Sequence, residues 1–223
     1  MKKTFDTKRL VVISMLCAIA YLCTFFFKFK VAFLTFDFKD AVIAVAALIY
    51  GPIYGLISAA TVGFLEFVTI SDTGVYGLIM NVLASATLAL TCGSIYRYKR
   101  TFSGAILGAC FSVVTVTAIM LLANIFITPF YMTGASRSDV IALIPKLLLP
   151  FKLCKSILNA AVTLLLYKPV TGALRRIGLM RTACAAEYRI NLKTILLWVC
   201  TIVVIVLAVL FLMLDLQGSF EWL

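Results

Sequence analysis

The sequence predicts an all-α fold: a polytopic helical membrane protein, built as a six-helix bundle with one additional C-terminal transmembrane helix. Of its 223 residues, 64% are hydrophobic and only 13% are charged. The charges gather in short clusters between apolar runs of about 20 residues, the length that crosses roughly 30 Å of hydrocarbon. The basic start lacks a small-residue cleavage site, so the first apolar run is read as a transmembrane helix rather than a signal peptide.

Seven apolar runs define the predicted spans. In chain order they cover residues 9–29, 40–50, 53–70, 76–96, 103–128, 147–168 and 192–214. The second run is short, and only Gly51 and Pro52 separate it from the third, which predicts a break. We therefore expect this run to cross the membrane obliquely or only in part.

The distribution of Lys and Arg predicts the orientation. Placing the N-terminus in the cytoplasm puts most of the 20 basic residues in inner segments, as insertion topology requires. Seven spans then leave the C-terminus outside the cell. The net charge of +11 follows from this bias, so the predicted partner is the lipid bilayer of the cell membrane and not nucleic acid.

The sixth run carries a polar stripe. Lys152, Lys155, Asn159 and Thr163 share one face of a helix, because steps of three and four residues return to the same side. A lysine inside a span is costly and usually faces a cavity or a partner. Two alternatives remain: the lysines reach the headgroups, or they pair with Glu66 or Asp37 for structural reasons.

Further polar and aromatic residues are expected near that stripe. Two outer segments, 28–40 and 128–146, are read as an extended flap and a lid. Aromatic walls with a few fixed polar groups suit a flat heterocyclic small molecule. Together with the stripe, the predicted substrate-binding residues are Asp37, Phe38, Lys39, Glu66, Asn81, Asn124, Tyr131, Lys152, Lys155 and Asn159.

Small residues recur at four-residue spacing. Gly51, Gly55, Ala59 and Gly63 form one such stripe, which indicates close helix packing inside the bundle. A shorter stripe in the first span consists of Ser14 and Ala18. It predicts either internal packing or a docking face for another membrane subunit.

Missing motifs exclude several functions. The chain has no GxxxxGK[ST] phosphate loop, no GxSxG and no histidine, which argues against an ATPase or a Ser-His hydrolase. The seven cysteines form no CxxC pair, so they are read as small apolar residues. We expect no enzymatic activity, no metal site and no cofactor.

Four segments carry a family resemblance. They are "FLTFDFKD", "LIYGPIYGLISA", "NIFITPFYM" and "LLLPFKLCKSILNAAVTLLLYKP". With them the chain resembles an S component, the substrate-binding membrane subunit of an energy-coupling factor (ECF) vitamin transporter, and the riboflavin-binding branch in particular. The resemblance runs from about residue 9 to 180 and implies division into an S-component-like domain, 1–180, and a cytoplasmic linker with an extra span, 181–223.

The resemblance also implies partners and site residues. Helix one would dock through Ser14 and Ala18 to a transmembrane coupling subunit, which two cytoplasmic ATPases drive. Asn124 and Lys155 match ligand contacts of riboflavin binders, with flavin as transported ligand and not as cofactor. Lys152 stands where the family has Asn, and an ammonium only donates hydrogen bonds, so a phosphorylated flavin becomes a competing ligand.

The sequence thus favours a substrate-capture subunit for riboflavin or a related flavin. The alternatives are an S component for another vitamin, or a gradient-driven carrier working alone with Glu66 as its proton or sodium site. A non-catalytic assembly protein, which would bind no small molecule, is a third.

Overall fold

The computed structural model describes residues 7–26, 29–31, 34–70, 74–131, 137–176, 199, 201–203, 206–207, 210 and 219–220. Its elements in chain order are α1 (Thr7–Phe26), β1 (Phe29–Val31), β2 (Leu34–Phe36), α2 (Lys39–Tyr50), α3 (Pro52–Thr69), α4 (Gly74–Tyr98), α5 (Phe102–Tyr131), α6 (Arg137–Leu143), α7 (Leu149–Arg176) and β3 (Ser219–Phe220). Within this part of the chain, α1, α3, α4 and α5 are long and apolar enough to cross a membrane. The predicted helical membrane fold is confirmed.

Helix α2 lies at the centre of the bundle, where α1, α3, α4 and α7 pack around it. All its residues from Lys39 to Ile49 are buried. A helix of 12 residues rises only about 18 Å, which is too short to cross the hydrocarbon upright. Its first turn, which carries Lys39 and Asp40, therefore lies inside the protein and not at its surface.

The turn between α2 and α3 depends on Gly51. Its φ of 109° lies in a region that side chains rarely allow, and Pro52 begins α3, where a missing backbone N–H costs nothing. The turn brings Gly55 against Ala47, so closely that a Cβ on Gly55 would lie 2.5 Å from the Ala47 Cβ. Gly93 of α4 approaches the same alanine. The stripe that begins at Gly51 is thus internal packing, as predicted.

The flap predicted for residues 28–40 is a small antiparallel sheet that leads into α2. Strand β1 pairs with β2, with Phe29 opposite Phe36 and Val31 opposite Leu34. On its other edge β1 pairs with β3, so the strand order is β2-β1-β3. The last strand thus joins a sheet formed near the start of the chain.

The second outer segment, 128–146, is less irregular than the sequence suggested. Helix α5 continues to Tyr131, α6 forms over Arg137–Leu143, and a single π-helical turn, Ile144–Leu148, leads into α7. The buried side chain of Val140 holds α6 against Leu148 and Phe151. The expected lid is therefore built largely from helix.

Helix α7 runs past the predicted end of its span at residue 168, through Pro169 to Arg176. The extension persists because Val170 and Leu174 pack against the cluster that contains Val12 and Ile13 of α1. The start of α7 lies beside β2, and its end lies beside the first half of α1. The two ends of α7 therefore mark opposite ends of the bundle.

The predicted seventh span, 192–214, lies mostly outside the described residues. Those of its residues that the structure describes, 199, 201–203, 206–207 and 210, are helical. All but Thr201 have apolar side chains that are exposed, as a lipid-facing surface requires. The proposed division of the chain at residue 180 stays a prediction.

Candidate ligand-binding site

The candidate site lies beneath the sheet, where the first turn of α2 meets α3, α4 and α7. The chain leaves β2 at Phe36 and enters α2 at Lys39, so Asp37 occupies the short connection between them. Because α2 begins inside the bundle, the charges of this segment are buried with it. Asp37 and Lys39 are each 1% exposed.

Lys39 is the first of two lysines that pair with the carboxylates of this region. Its Nζ donates a hydrogen bond to Glu66 Oε2 on α3 and lies 3.5 Å from Asp37 Oδ2. Glu66, which the sequence offered as a free site for a coupling ion, is therefore already paired with a buried ammonium. This pairing weakens the case for a carrier driven by an ion at Glu66.

Lys155 is the second of these two lysines, and it connects α7 to the flap. Its Nζ donates to the backbone carbonyl of Thr35 in β2 at 3.0 Å and to Asp37 Oδ2 at 3.3 Å. It also lies 4.0 Å from Asp40 Oδ2. The structural pairing with Asp37, one of the alternatives left open by the sequence, is thus present.

Asp40 links the same group to two more helices. One of its oxygens accepts a hydrogen bond from Ser85 of α4, and the other lies 3.4 Å from the Asn159 Nδ2 donor on α7. Thr163, one turn further along α7, bonds the Asn159 carbonyl at 2.6 Å. The polar stripe of α7 therefore faces the interior and contacts α2.

The charges of this region balance. The ionisable side chains that contact or adjoin the network are Asp37, Asp40, Glu66, Lys39, Lys152 and Lys155. Three carboxylates and three ammonium groups give a formal sum of zero. Burial raises the pKa of Asp37, but its neighbours Lys155 and Lys39 outweigh that effect and hold the pKa below its ordinary value.

Lys152 differs from the other two lysines because no described residue provides an acceptor for it. It is 8% exposed, and no described residue forms a hydrogen bond or an ion pair with it. Its Nζ lies 6.0 Å from the centre of the Phe151 ring, a weak cation–π contact. Lys152 is buried within the described fold, and the snorkelling alternative stays a prediction.

Two acceptor atoms in the same region also lack partners. Asp37 Oδ1 and Asn159 Oδ1 are buried, and neither accepts a hydrogen bond in the part of the chain that the structure describes. Each such group costs about 1–3 kcal/mol when it stays unpaired. Together with Lys152 they form a set of one donor group and two acceptors, which we call the unpaired triad. Such a set fits a ligand that offers both acceptors and donors.

Asn124, predicted on the outer half of α5, is fully buried but already engaged. Its Nδ2 donates to the Met120 carbonyl at 2.6 Å, and its Oδ1 accepts from Thr128 at 3.0 Å. Both contacts lie within its own helix. A ligand contact from Asn124 would need these local bonds to rearrange, and its predicted role stays a prediction.

The remaining predicted residues lie around this centre or away from it. Phe38 is half-buried and meets Phe36 edge to face, with ring centres 5.0 Å apart. Asn81 of α4 is half-buried and has no hydrogen-bond partner among the residues described. Tyr131 ends α5, and its side chain lies outside the description. Ser14 and Ala18 are exposed on α1, remote from the network in the fold.

Sequence reasoning left three contributors out of the predicted site. Asp40 and Ser85 were recognisable as polar residues within apolar runs, and their spacing from Asp37 and Asn81 was the available signal. The Thr35 carbonyl gave no signal, because every residue has a backbone carbonyl and the sequence does not distinguish one from another. Among the described residues, no group of His, Cys, Asp and Glu could hold a metal ion.

Comparison with known proteins agrees with this architecture. The family model for the ECF transporter substrate-specific component matches residues 8–167. The riboflavin transporter RibU of Staphylococcus aureus (strain TCH60) is 33% identical over 181 residues, which cover 77% of this chain and 95% of RibU. The riboflavin transporter FmnP of Bacillus subtilis (strain 168) is 28% identical over 171 residues, covering 72% and 90%.

A solved structure is similar as well. The S component of a bacterial ECF transporter superposes with a TM-score of 0.64 at 33% identity. The match covers 76% of this chain and 99% of that structure. Strand β3 and the predicted seventh span lie beyond residue 167, where the match to the family model ends.

Proposed function

This chain belongs to the family of substrate-specific components of ECF transporters, and we propose that it binds riboflavin, or a closely related flavin, for an ATP-driven importer. The observation that carries the proposal is the unpaired triad beneath the flap. Both similar curated transporters are named for riboflavin, which makes a flavin the first ligand to test.

The hydrogen-bonding groups of the triad complement a flavin. The pyrimidine edge of the flavin ring places an N–H between two carbonyl oxygens. Lys152 would donate to a carbonyl, and Asn159 Oδ1 would accept from the N–H. Lys155 has three N–H donors, of which Thr35 and Asp37 use two, so one remains for the ligand. Phe38 supplies an aromatic surface nearby.

The charge balance favours a neutral ligand. Asp37, Asp40 and Glu66 already offset the three lysines, so the region has no surplus positive charge. A phosphate would bring up to two negative charges into a region whose formal charges already balance. Lys152 could pair with only one of them, and burying an uncompensated charge is costly. We therefore propose that the site prefers riboflavin over its phosphate ester, although Lys152 replaces the amide typical of the family.

Transport would require partners. We propose that Ser14 and Ala18 form part of the face that docks to a transmembrane coupling subunit driven by two ATPases. Both are exposed on α1, and small exposed residues permit close approach of another helix. The chain itself would then be a non-enzymatic capture subunit of the cell membrane.

We further propose that the N-terminus is cytoplasmic and the C-terminus lies outside. The excess of Lys and Arg in the inner segments supports this orientation. The pairing of β3 with β1 supports it too, because residues 177–218 connect the far end of α7 to the flap. An apolar run within that connection has the length of a single crossing.

A binding titration tests the ligand. The purified protein in detergent should quench the fluorescence of riboflavin on binding, and flavin retained through purification should colour it yellow. The phosphate ester should bind at least tenfold more weakly if the charge argument holds. A colourless protein that leaves the fluorescence of every added flavin unchanged would refute the proposal. Uptake by this chain alone in ATP-free proteoliposomes would instead favour the gradient-driven carrier.

A further inference from the structure

The sheet above the site is anchored to the bundle through β2. Leu34 and Phe36 of β2 are buried against the cluster that contains Phe151, and the Thr35 carbonyl accepts from Lys155. Strand β1 is the middle strand, so β2 holds it on one side. What holds its other side decides how easily the flap can move.

That other side is held by β3. Phe29 lies opposite Phe220 and Lys30 opposite Ser219 in an antiparallel pair. A two-stranded hairpin is marginally stable in water, and a third strand adds pairing and covers an exposed edge. The chain reaches β3 after α7, which ends at Arg176 away from β2.

We propose that β3 is a strap that keeps the β1–β2 hairpin over the unpaired triad and thereby slows the entry and release of ligand. The effect on ligand exchange rests on the proposed function, whereas the pairing itself does not. Release of ligand then requires either that β3 detaches from β1 or that both move together. Breaking β3 should accelerate exchange without altering any residue of the site.

Disulfide formation tests the pairing without any ligand. The variant K30C/S219C, with a protease site inserted between residues 181 and 190, should keep its two fragments linked on a non-reducing gel after cleavage. The matched control V31C/S219C is shifted by one residue, which turns the two side chains to opposite faces of the sheet. Single-cysteine variants report the background from native cysteines. Equal linkage in K30C/S219C and its control would overturn the proposed strap.

Proline substitution tests the effect on exchange. Successive residues of a strand direct their N–H groups to opposite edges, so S219P/F220P removes the N–H that faces β1 whichever residue carries it. The control S219T/F220Y keeps both N–H groups and favours a strand. Loss of about one hydrogen bond predicts about fivefold faster riboflavin dissociation in the proline variant and no change in the control. Dissociation within twofold of the unaltered protein would overturn the proposal.

Amide hydrogen exchange separates this inference from the proposed function. If no flavin binds to the unaltered protein, the function is wrong, but the strap is still testable. Residues 29–31 should then exchange faster in S219P/F220P than in S219T/F220Y. Equal exchange in the two variants would overturn the strap as well.

Discussion

Replacing Lys152 or Lys155 of α7 by methionine should have different consequences for stability. Lys155 bonds the Thr35 carbonyl and Asp37, whereas Lys152 has no acceptor among the described residues. Methionine keeps the length and the apolar stem of either side chain but removes the charge. We expect Lys152→Met to weaken riboflavin binding with little effect on stability, and Lys155→Met to reduce both.

The magnitudes follow from the contacts. A hydrogen bond from a charged donor contributes about 1.5–3 kcal/mol, so Lys152→Met should raise the Kd by about 10- to 150-fold. It leaves no partner orphaned, and it removes an unpaired ammonium whose burial is itself costly. Lys155→Met deprives Asp37 of one of its two cations and breaks the bond to β2. Removing one partner of a buried pair costs about 3–5 kcal/mol.

Two measurements on the same detergent-purified variants check this contrast. Thermal unfolding of the ligand-free proteins reports stability, and a fluorescence titration reports the Kd for riboflavin. Lys152→Asn serves as a control that keeps a donor and adds an acceptor, and it should bind more tightly than Lys152→Met. If Lys152→Met unfolds as early as Lys155→Met, or binds riboflavin like the unaltered protein, the assignment of Lys152 to the ligand is wrong.

Three further predictions concern the network, the packing and the docking face. Asp37→Asn removes the negative charge that Lys39 and Lys155 share and should destabilise the ligand-free protein by about 3 kcal/mol, measured by unfolding in detergent. Gly55→Val places its side chain against Ala47 and should cost about 1–3 kcal/mol, whereas Ala60→Val on the exposed face of α3 should not. Ala18→Trp should keep riboflavin binding but abolish uptake when the coupling subunit and ATPases are present. The control Ala60→Trp should keep both binding and uptake. Uptake that survives in Ala18→Trp would exclude this docking face.

The helices were predictable because one requirement, crossing the hydrocarbon of the membrane, sets both their length and their composition. A helix that crosses hydrocarbon must be about 20 apolar residues long, and the charges that flank it mark its ends. Helices α3 and α4 accordingly match the predicted spans within two residues at each end. The end of α7 was missed because Pro169 suggests termination, while the packing of Leu174 against α1, which overrides it, is a long-range contact.

The candidate site was predictable by residue type, and pairing with Asp37 was one of the alternatives, but which lysine is paired was not predictable. A lysine within a span must face the interior or a partner, which identified Lys152 and Lys155. Which of them is paired depends on where β2 places the Thr35 carbonyl, and no local pattern encodes that position. The pairing of β3 with β1 lay beyond prediction for the same reason, since the two strands are near opposite ends of the chain.

The buried network is better explained as a means of positioning β2 and the Asn159 side chain than as a source of folding stability. Apolar side chains of similar volume often stabilise a core as well as a buried ion pair does. They could not, however, hold β2 to α7 through a backbone carbonyl, as Lys155 does. Asp40, fixed by Ser85, positions the Asn159 amide in the same way, which leaves its Oδ1 free to accept. The satisfied charges thus hold the unsatisfied groups in place, so the proposed ligand would meet a site already arranged beneath the flap.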